Sequence, residues 1–138
     1  MKNINNYIQE KLNISTKYTC KPKDRDELIE IIKERLDKDK DANLNDIDVS
    51  DITDMFNLFY QLYPHNIDIS EWNVSNVTDM NNMFSNCRNF NSDLSNWDVS
   101  NVKDMKCMFN GCTNFNSDLR DWDVSNVEDM RWLFKNCY

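Results

Sequence analysis

The chain has 138 residues, of which 40% are hydrophobic and 12% aromatic, enough apolar material for one folded domain. A single glycine and two prolines exclude a glycine-rich phosphate loop and a dinucleotide-binding fingerprint. The formal net charge is -8, and because residues 46–138 hold 6 Lys/Arg against 15 Asp/Glu, direct binding of nucleic acid through its phosphates is excluded.

Residues 1–43 do not repeat and are predicted to form a helical cap for the rest of the chain. The strongest helix prediction follows Pro22, where Asp24 and Glu27 have the spacing of a capping box. A weaker amphipathic helix is predicted before it, with the segment KYTC as a short strand between the two. The apolar face of the stronger helix consists of Leu28, Ile31, Ile32 and Leu36, and that of the weaker helix of Ile4, Tyr7, Ile8 and Leu12.

Residues 44–138 repeat with a period of 25 residues. The hexapeptide WDVSNV fills Trp97–Val102 and Trp122–Val127, and WNVSNV fills Trp72–Val77. The second and third units share 16 identical letters in 25, and a fainter copy precedes them. Because no single unit can bury its apolar face alone, this period indicates that the units stack on one another.

Each unit contains two apolar spacings, of which the first predicts a short strand and the second a short helix. When the units stack, their strands lie side by side in a parallel sheet. Asn101 precedes Asp104 by three residues and is predicted to cap the helix of the third unit. Phe90 and Phe115 are predicted to anchor the return loops in the core. In the third unit the strand positions are Leu94, Trp97, Val99 and Val102, and the helix positions are Val102, Met105, Phe109 and Cys112.

The pattern W-[ND]-V-S-N-V-x-D-M-x-x-[ML]-F-x-x-C-x-x-F-N-S-D-L resembles the BspA-like class of leucine-rich repeats, found mainly in bacterial surface proteins and lipoproteins. The resemblance covers Leu44 to Tyr138. It implies an α/β fold, a right-handed leucine-rich-repeat solenoid of about four 25-residue strand-helix units, with residues 1–43 as the N-terminal helical cap. It also implies adhesion or protein binding without enzyme chemistry.

Residues 1–15 lack the features of a secretory signal, and no apolar run approaches the length of a membrane span. We therefore expect a cytoplasmic protein with reduced cysteines that does not bind a membrane. This expectation departs from the surface location that the resemblance implies.

Two columns of residues recur every 25 positions and are predicted to be structural. The cysteine column lacks the close spacing of a zinc site, so we interpret it as buried thiols and expect no metal and no cofactor. The tryptophan column is interpreted as an internal aromatic spine. These columns are Cys87, Cys112 and Cys137, and Trp72, Trp97 and Trp122.

The acidic residues form the main candidate binding site. One residue of each unit lies between two inward strand residues and is predicted to point outward. Like charges on adjacent strands cost stability, so the fold alone gives little reason to place them there. Three interpretations stay open: a solvated face, a surface for Lys/Arg of a partner, and a cation site. The column consists of Asp48, Asn73, Asp98 and Asp123, and the residues beside it are Glu71, Asn96 and Asp121.

The end of the repeat region is the second candidate site. No distinct capping segment follows Cys137, so we expect this end to meet a partner protein or a second copy, with Tyr138 beside it. Trp132 lies off the apolar stripe. It is interpreted either as an exposed interface anchor or as an improvised cap over the open end.

The expected function is a non-catalytic protein-interaction module that binds a basic protein partner through the acidic face and the open C-terminal end. One alternative is an acidic inhibitor or decoy of a nucleic-acid-binding enzyme, like phage anti-CRISPR and DNA-mimic proteins. Another is an adhesin fragment of a bacterial surface protein. No nucleophile, base and carboxylate set indicates an active site, so no enzyme is expected.

Overall fold

A computed structural model describes residues 3–5, 8 and 17–138 of the chain. The weaker N-terminal helix predicted from Ile4 to Leu12 falls largely outside these residues and stays a prediction. The described part contains one helix with both ends defined, α1 at Arg25–Lys38.

Helix α1 forms where the sequence predicts it. Asp24 is the N-cap, and its carboxylate accepts a hydrogen bond from the backbone N–H of Glu27 at 2.9 Å. The helix ends at Asp39, whose N–H donates to the carbonyl of Arg35 at 2.9 Å. The inward face of α1 shares one core with the repeats. On this face Leu28, Ile32 and Leu36 are buried and Ile31 is half-buried.

The rest of the chain runs through consecutive coils joined by hydrogen bonds at a spacing of about one repeat. At each junction, backbone N–H groups of one coil donate to carbonyls of the next coil. Between the second and third coils, the donors Met80, Asn82 and Phe84 reach the carbonyls of Asp104, Lys106 and Met108 at 2.9, 2.9 and 3.0 Å. Coils 1 to 4 are defined as residues 47–71, 72–96, 97–121 and 122–138.

The parallel pairing between coils consists of isolated bridges, and residues 17–138 contain no longer strand. The predicted KYTC segment pairs with the start of coil 1 and the residue before it, because Thr19 N–H donates to the carbonyl of Asp46 at 2.8 Å and Asp48 N–H donates to the carbonyl of Cys20 at 2.9 Å. The bridges join Cys20 with Ile47, Asn43 with Asp68, Asp54 with Asp79, Asp79 with Asp104, and Asp104 with Asp129.

The segment of each unit that was predicted to be a short helix is a run of turns. In coil 3 the N–H of Met108 donates to the carbonyl of Met105 at 3.2 Å, three residues back. Asn101 is not a helix cap, because its side-chain amide donates to the carbonyl of Ser75 in the preceding coil at 2.7 Å. Steps of three and four residues suit these turns as well as a helix, so the inward residues were predicted correctly. Val102, Met105, Phe109 and Cys112 are all fully buried.

Left-handed backbone recurs at two equivalent positions in each coil, with a third at Tyr63 in coil 1, and prevents a continuous helix. Asn tolerates this conformation, and the single glycine, Gly111, adopts it at φ 73°. A Cβ atom on Gly111 would lie 2.8 Å from the side-chain oxygen of Asn86, so this site also needs the space. One column contains Asn57, Asn82, Cys107 and Trp132, and the other contains Gln61, Asn86, Gly111 and Asn136.

Phenylalanines stack through the core from coil to coil. The rings of Phe84 and Phe109 lie 5.7 Å apart, and Phe109 and Phe134 lie 5.5 Å apart, nearly parallel in both pairs. The predicted loop anchors join the same stack, since Phe90 packs on Phe84 at 4.0 Å and Phe115 on Phe109 at 4.1 Å.

The tryptophan and cysteine columns are structural, as predicted. Each side chain donates to a backbone carbonyl 28 residues earlier, which joins its coil to the part of the stack that comes before it. Burial raises the pKa of the Cys112 thiol to about 12, so this thiol stays protonated. Trp72, Trp97 and Trp122 donate to the carbonyls of Leu44, Ile69 and Leu94 at 2.9, 3.1 and 3.0 Å, and Cys87, Cys112 and Cys137 donate to Phe59, Phe84 and Phe109 at 3.5, 3.0 and 2.8 Å.

Candidate functional site

The predicted outward column forms the same turn in every coil, and we name it the Asx column. In coil 3 the Oδ1 atom of Asp98 accepts hydrogen bonds from the N–H of Ser100 at 3.0 Å and from its hydroxyl at 2.6 Å. Such a turn replaces a backbone hydrogen bond with a side-chain one. The column consists of Asp48, Asn73, Asp98 and Asp123, whose oxygens accept the N–H of Ser50, Ser75, Ser100 and Ser125 at 3.0 to 3.1 Å.

This geometry corrects one expectation from the sequence. The fold favours Asp or Asn at these positions, because their side-chain oxygen accepts the hydrogen bonds that form the turn. Asn73 makes the same two bonds as Asp98, at 3.1 and 2.6 Å, and it has no charge. The turn therefore accounts for the oxygen and leaves the negative charges of Asp98 and Asp123 without a structural role.

Asp98 and Asp123 carry neighbouring negative charges. The hydroxyl of Ser100 lowers the pKa of Asp98, and the hydroxyl of Ser125 lowers that of Asp123. The charge of Asp123 acts in the opposite direction and offsets a small part of the lowering of the Asp98 pKa. Both side chains are exposed and ionised at neutral pH.

The N-terminal part of the acidic face is paired with lysines of the same chain. Lys21 lies 3.4 Å from Asp48 and 3.0 Å from Asp51, and Lys17 lies 2.7 Å from Glu71. These carboxylates raise the pKa values of both lysines. Sequence reasoning missed this pairing, because no local pattern connects lysines near residue 20 with carboxylates some 25 to 55 residues later.

The C-terminal part of the face has no such partners. Asp98, Asp121 and Asp123 are exposed, and none of them forms an ion pair within the part of the chain that the structure describes. Asn96, the remaining predicted residue beside the column, is also exposed. The structure thus separates the predicted site into a part occupied by lysines and a part that is open.

A second acidic column was missed as a unit, because its members were interpreted as residues of helix starts. Its central member, Asp79, is partly buried, and desolvation followed by the charges of Asp104 and Asp54 raises its pKa. Arginines neutralise the two ends of this bridge column: Arg25 lies 2.8 Å from Asp54, and Arg131 lies 2.7 Å from Asp129. The bridge column consists of Asp54, Asp79, Asp104 and Asp129.

Coil 4 exposes side chains that the other coils bury. Val124 is 38% exposed, whereas Val99 is 1% exposed. Met130 and Phe134 are 39% and 50% exposed, although their equivalents in coils 1 to 3 are fully buried. With Trp132, these residues form a surface that we name the end face: Val124, Met130, Trp132 and Phe134.

The end face also presents unpaired backbone donors. The equivalent N–H groups of coil 3 donate to carbonyls of coil 4 at 2.8 to 3.0 Å. In coil 4 the four donors have no acceptor among the described residues. These donors are the N–H groups of Met130, Trp132, Phe134 and Asn136.

Trp132 is the most exposed member of the end face. Its side chain is 57% exposed, and the ammonium groups of Lys106 and Lys135 lie 5.5 and 5.0 Å from its ring. Its backbone is left-handed at φ 60°, an uncommon conformation for a bulky residue. Tyr138 is 93% exposed, and its hydroxyl lies 3.5 Å from the side-chain oxygen of Asn136.

Residues 3–5, 8 and 17–138 contain neither a metal-binding cluster nor a membrane-spanning helix. No three His, Cys, Asp or Glu side chains in this part of the chain are gathered closely enough to hold a metal ion. None of its helices has the length and apolar character required to cross a membrane.

Comparison with known proteins gives one match. A family described as "Mycoplasma protein of unknown function, DUF285" matches residues 29–138, which include most of α1, the Asx column and the end face. No curated protein and no solved structure matches the chain.

Proposed function

Because the chain belongs to the DUF285 family, whose printed description assigns no function, we propose a function from the geometry of the chain itself. The protein is a non-catalytic interaction module that binds a basic segment of a partner protein along the open part of the Asx column. Asp98, Asp121 and Asp123 receive the positive charges of that segment.

We also propose that the four coils are leucine-rich repeats of the BspA-like kind, arranged as a solenoid capped by α1. Support comes from the hydrogen bonds between coils, which recur every 25 residues, and from the columns of Trp, Phe and Cys. In such a stack the Asx column runs across the coils at roughly 4.8 Å per coil, a spacing that an extended basic segment can follow.

One observation carries the binding proposal: the chain's own lysines already pair with the first part of this face. Lys17 and Lys21 approach its carboxylates to between 2.7 and 3.4 Å. The same surface continues onto coils 3 and 4, where the carboxylates have no lysine partners among the described residues. A partner segment with Lys or Arg at similar spacing would extend an interaction that the chain makes with itself.

The charges favour this proposal over a purely structural column. Asn73 supports its turn without a charge, so an Asn at position 98 or 123 would satisfy the turn equally well. Two neighbouring carboxylates repel each other, which costs stability unless a partner neutralises them. A single exposed ion pair contributes only about 0 to 1 kcal/mol, so binding requires several charges together and weakens as salt rises.

A titration with deca-lysine tests this proposal. The Asp98→Asn/Asp123→Asn variant keeps both turn oxygens and removes both charges, so we expect it to bind deca-lysine roughly fivefold more weakly at low salt. The matched control is Asp104→Asn/Asp129→Asn, which removes two charges from the same coils in the bridge column.

The control should bind nearly as the unchanged protein does, since its charges lie in a different column. Equal weakening by the two double variants would mean that only net charge matters, and the proposal would fail. The affinity of the unchanged protein should also fall steeply between low and high salt.

A further inference from the structure

We propose that a cavity between coils 1 and 2 binds a small phosphate monoester that carries a flat ring. Arg88, His65 and the backbone N–H of Asn89 hold the phosphate, and the ring of Tyr63 packs on the organic part of the ligand. The cavity shares no residue with the Asx column, so this site goes beyond the proposed interaction function. Its volume is about 370 Å³, and it is lined by Tyr63, Pro64, His65, Asn86, Arg88 and Asn89.

The cavity lacks carboxylates although the chain is strongly acidic. The formal net charge is -8, yet none of the six lining residues is Asp or Glu. Three other cavities of the structure each have carboxylates among their lining residues. The guanidinium of Arg88 belongs to the lining, and the ammonium of Lys40 lies 3.5 Å from the carbonyl of Leu62, the residue before Tyr63. A concave surface with cations and no carboxylate attracts anions.

Arg88 is exposed and has no carboxylate partner among the described residues. Its planar group of N–H donors matches the oxygens of a phosphate, so it is available to an oxyanion from solvent. The other four arginines each pair with an aspartate at 2.7 to 2.8 Å: Arg25 with Asp54, Arg35 with Asp46, Arg120 with Asp118, and Arg131 with Asp129.

The backbone N–H of Asn89 provides a second donor. In coil 3 the equivalent N–H, that of Asn114, donates to the carbonyl of Arg88 at 3.1 Å. The corresponding bond from Asn89 to Tyr63 does not form, and this N–H has no acceptor among the described residues. Tyr63 departs from the repeat here, because its backbone is left-handed at φ 49°, unlike Arg88 and Thr113 at the equivalent positions. Such strain in a bulky residue is concentrated at functional sites.

His65 is a second departure from the repeat. Coils 2 and 3 have a phenylalanine at this position, and the ring of Phe90 is fully buried against Phe84. His65 is exposed and is the single histidine of the chain. An imidazole can donate a hydrogen bond to an oxyanion, which a phenyl ring cannot do. Coil 1 therefore has a polar ring in the cavity where the later coils have a core residue.

Hydrogen bonds from neighbouring segments hold both walls of the cavity. On the coil 2 side, the carbonyl of Arg88 accepts the N–H of Asn114 at 3.1 Å and the hydroxyl of Thr113 at 3.3 Å. On the coil 1 side, the N–H of His65 donates to the carbonyl of Lys40 at 2.9 Å. Because the backbone is already fixed on both sides, little ordering is required when a ligand binds.

The donors favour a phosphate group over a carboxylate. A guanidinium, an imidazole and a backbone N–H line the same cavity, and a phosphate monoester has three terminal oxygens to accept from them, whereas a carboxylate has two. Tyr63 is 62% exposed, so its ring is available to pack against a flat group attached to the phosphate. A cavity of this volume suits a small molecule.

A titration of the full chain with phenyl phosphate, followed by NMR, tests the proposal. We expect the amide of Asn89 and the Nε–H of Arg88 to shift together, with half-saturation at about 1 mM. Inorganic phosphate, which lacks the ring, should bind roughly fivefold more weakly. Benzoate, which combines a ring with a carboxylate, should bind roughly tenfold more weakly.

Two matched arginine variants locate the site. Arg88→Gln should weaken the binding of phenyl phosphate roughly tenfold, because the guanidinium is lost. Arg120→Gln removes the same charge from another exposed arginine and should leave binding unchanged. Since both side chains are exposed, both variants should keep the fold, and their amide spectra check this.

Two further variants test the departures from the repeat. Tyr63→Asn suits the left-handed backbone and removes the ring, so phenyl phosphate should then bind as weakly as inorganic phosphate does. His65→Phe introduces the residue of coils 2 and 3 and should weaken the binding of both phosphates roughly threefold.

Three outcomes would overturn the proposal. Equal binding of phenyl phosphate by the two arginine variants would mean that only net charge matters. An Asn89 amide that does not shift at about 10 mM phenyl phosphate would show that the cavity does not hold the ligand. Benzoate that binds as tightly as phenyl phosphate would contradict the choice of a phosphate.

Discussion

The two copies of WDVSNV, Trp97–Val102 in coil 3 and Trp122–Val127 in coil 4, are identical in sequence and different in environment. Both make the same contacts with the earlier part of the stack, since their tryptophan side chains donate to carbonyls 28 residues earlier and their asparagine side chains to carbonyls 26 residues earlier, at nearly equal distances. They differ in burial, because Val99 is covered and Val124 is exposed. The hexapeptide thus provides the hydrogen bonds that join its coil to the earlier part of the chain. Whether its side chains are buried depends on the coil that follows.

This difference explains why equivalent residues can be buried in one coil and exposed in another. In a stack where each coil contacts only its neighbours, stability is a sum over coils and junctions. Where no further coil covers a coil among the described residues, apolar side chains and backbone donors are exposed together on one surface. The end face has this combination, and coils 1 to 3 do not.

The largest expected effect comes from the phenylalanine column. Phe109→Ala should lower the free energy of unfolding by about 3–5 kcal/mol, because this ring is fully buried between its neighbours. Phe134→Ala should cost roughly half of that, since half of its side chain is already exposed. Urea denaturation measures both values, and equal losses would contradict the difference between coils 3 and 4.

The asparagine side chains of the two WDVSNV copies should contribute equally to stability through their hydrogen bonds with the preceding coil. Asn101→Ala and Asn126→Ala each remove a side-chain donor that reaches a carbonyl at 2.7 Å. Each change should lower the free energy of unfolding by about 1 kcal/mol. Urea denaturation measures both losses. If only Asn101→Ala lowers stability, the contribution of this hydrogen bond would also depend on the following coil.

Replacement of Trp132, which has a left-handed backbone, by Asn should stabilise the protein. Trp132→Asn should raise the free energy of unfolding by about 0.5–1 kcal/mol, because relief of left-handed strain outweighs loss of the Lys106 and Lys135 contacts. Urea denaturation measures the change, and a less stable variant would show that Trp132 contributes more to the fold through its lysine contacts than its backbone strain costs.

Removing a charge from the bridge column should raise the free energy of unfolding in coil 2 and lower it in coil 4. Asp79→Asn should raise the free energy of unfolding at pH 7 by about 0.2–1 kcal/mol, because it removes a partly buried charge between Asp54 and Asp104 and keeps the oxygen that accepts the N–H of Asn81. Asp129→Asn should lower stability, because Arg131 loses its partner. Stability curves of both variants against pH distinguish the two cases.

The pH dependence follows from the direction of each shift. The raised pKa of Asp79 means that its charge destabilises the fold at neutral pH, and this cost disappears as pH falls through its folded pKa. The pKa of Asp129 is lowered to about 2, mainly by its bonds with Arg131. Its contribution is present above the ordinary pKa of about 3.9 and is lost as pH falls toward 2. Parallel pH curves for the two variants would contradict this assignment.

Much of the architecture could be predicted from periodicity alone. The apolar face and N-cap of α1, the inward Trp, Phe and Cys columns, and the loop anchors Phe90 and Phe115 all follow from spacing. The type of local structure did not follow, because steps of three and four residues fit both a helix and the turns that form. The recurring Asn at positions 57 and 82 was the available signal for left-handed backbone.

The outward position of the Asx column was predicted from the sequence, whereas the turn that its side chains form was not. The recurring Asp/Asn-x-Ser spacing, as in Asp98 and Ser100, was a usable signal for side-chain turns and was interpreted only as an outward charge. The pairing of Lys17 with Glu71 and of Lys21 with Asp48 depends on how a distant segment packs, and no local pattern encodes it.

Amide exchange at Phe109 and Phe134 in the full chain tests the central claim most directly, since these equivalent residues differ only in the presence of a following coil. We predict that the amide of Phe109 exchanges roughly a hundredfold more slowly than that of Phe134. Equal exchange at the two amides would contradict the account.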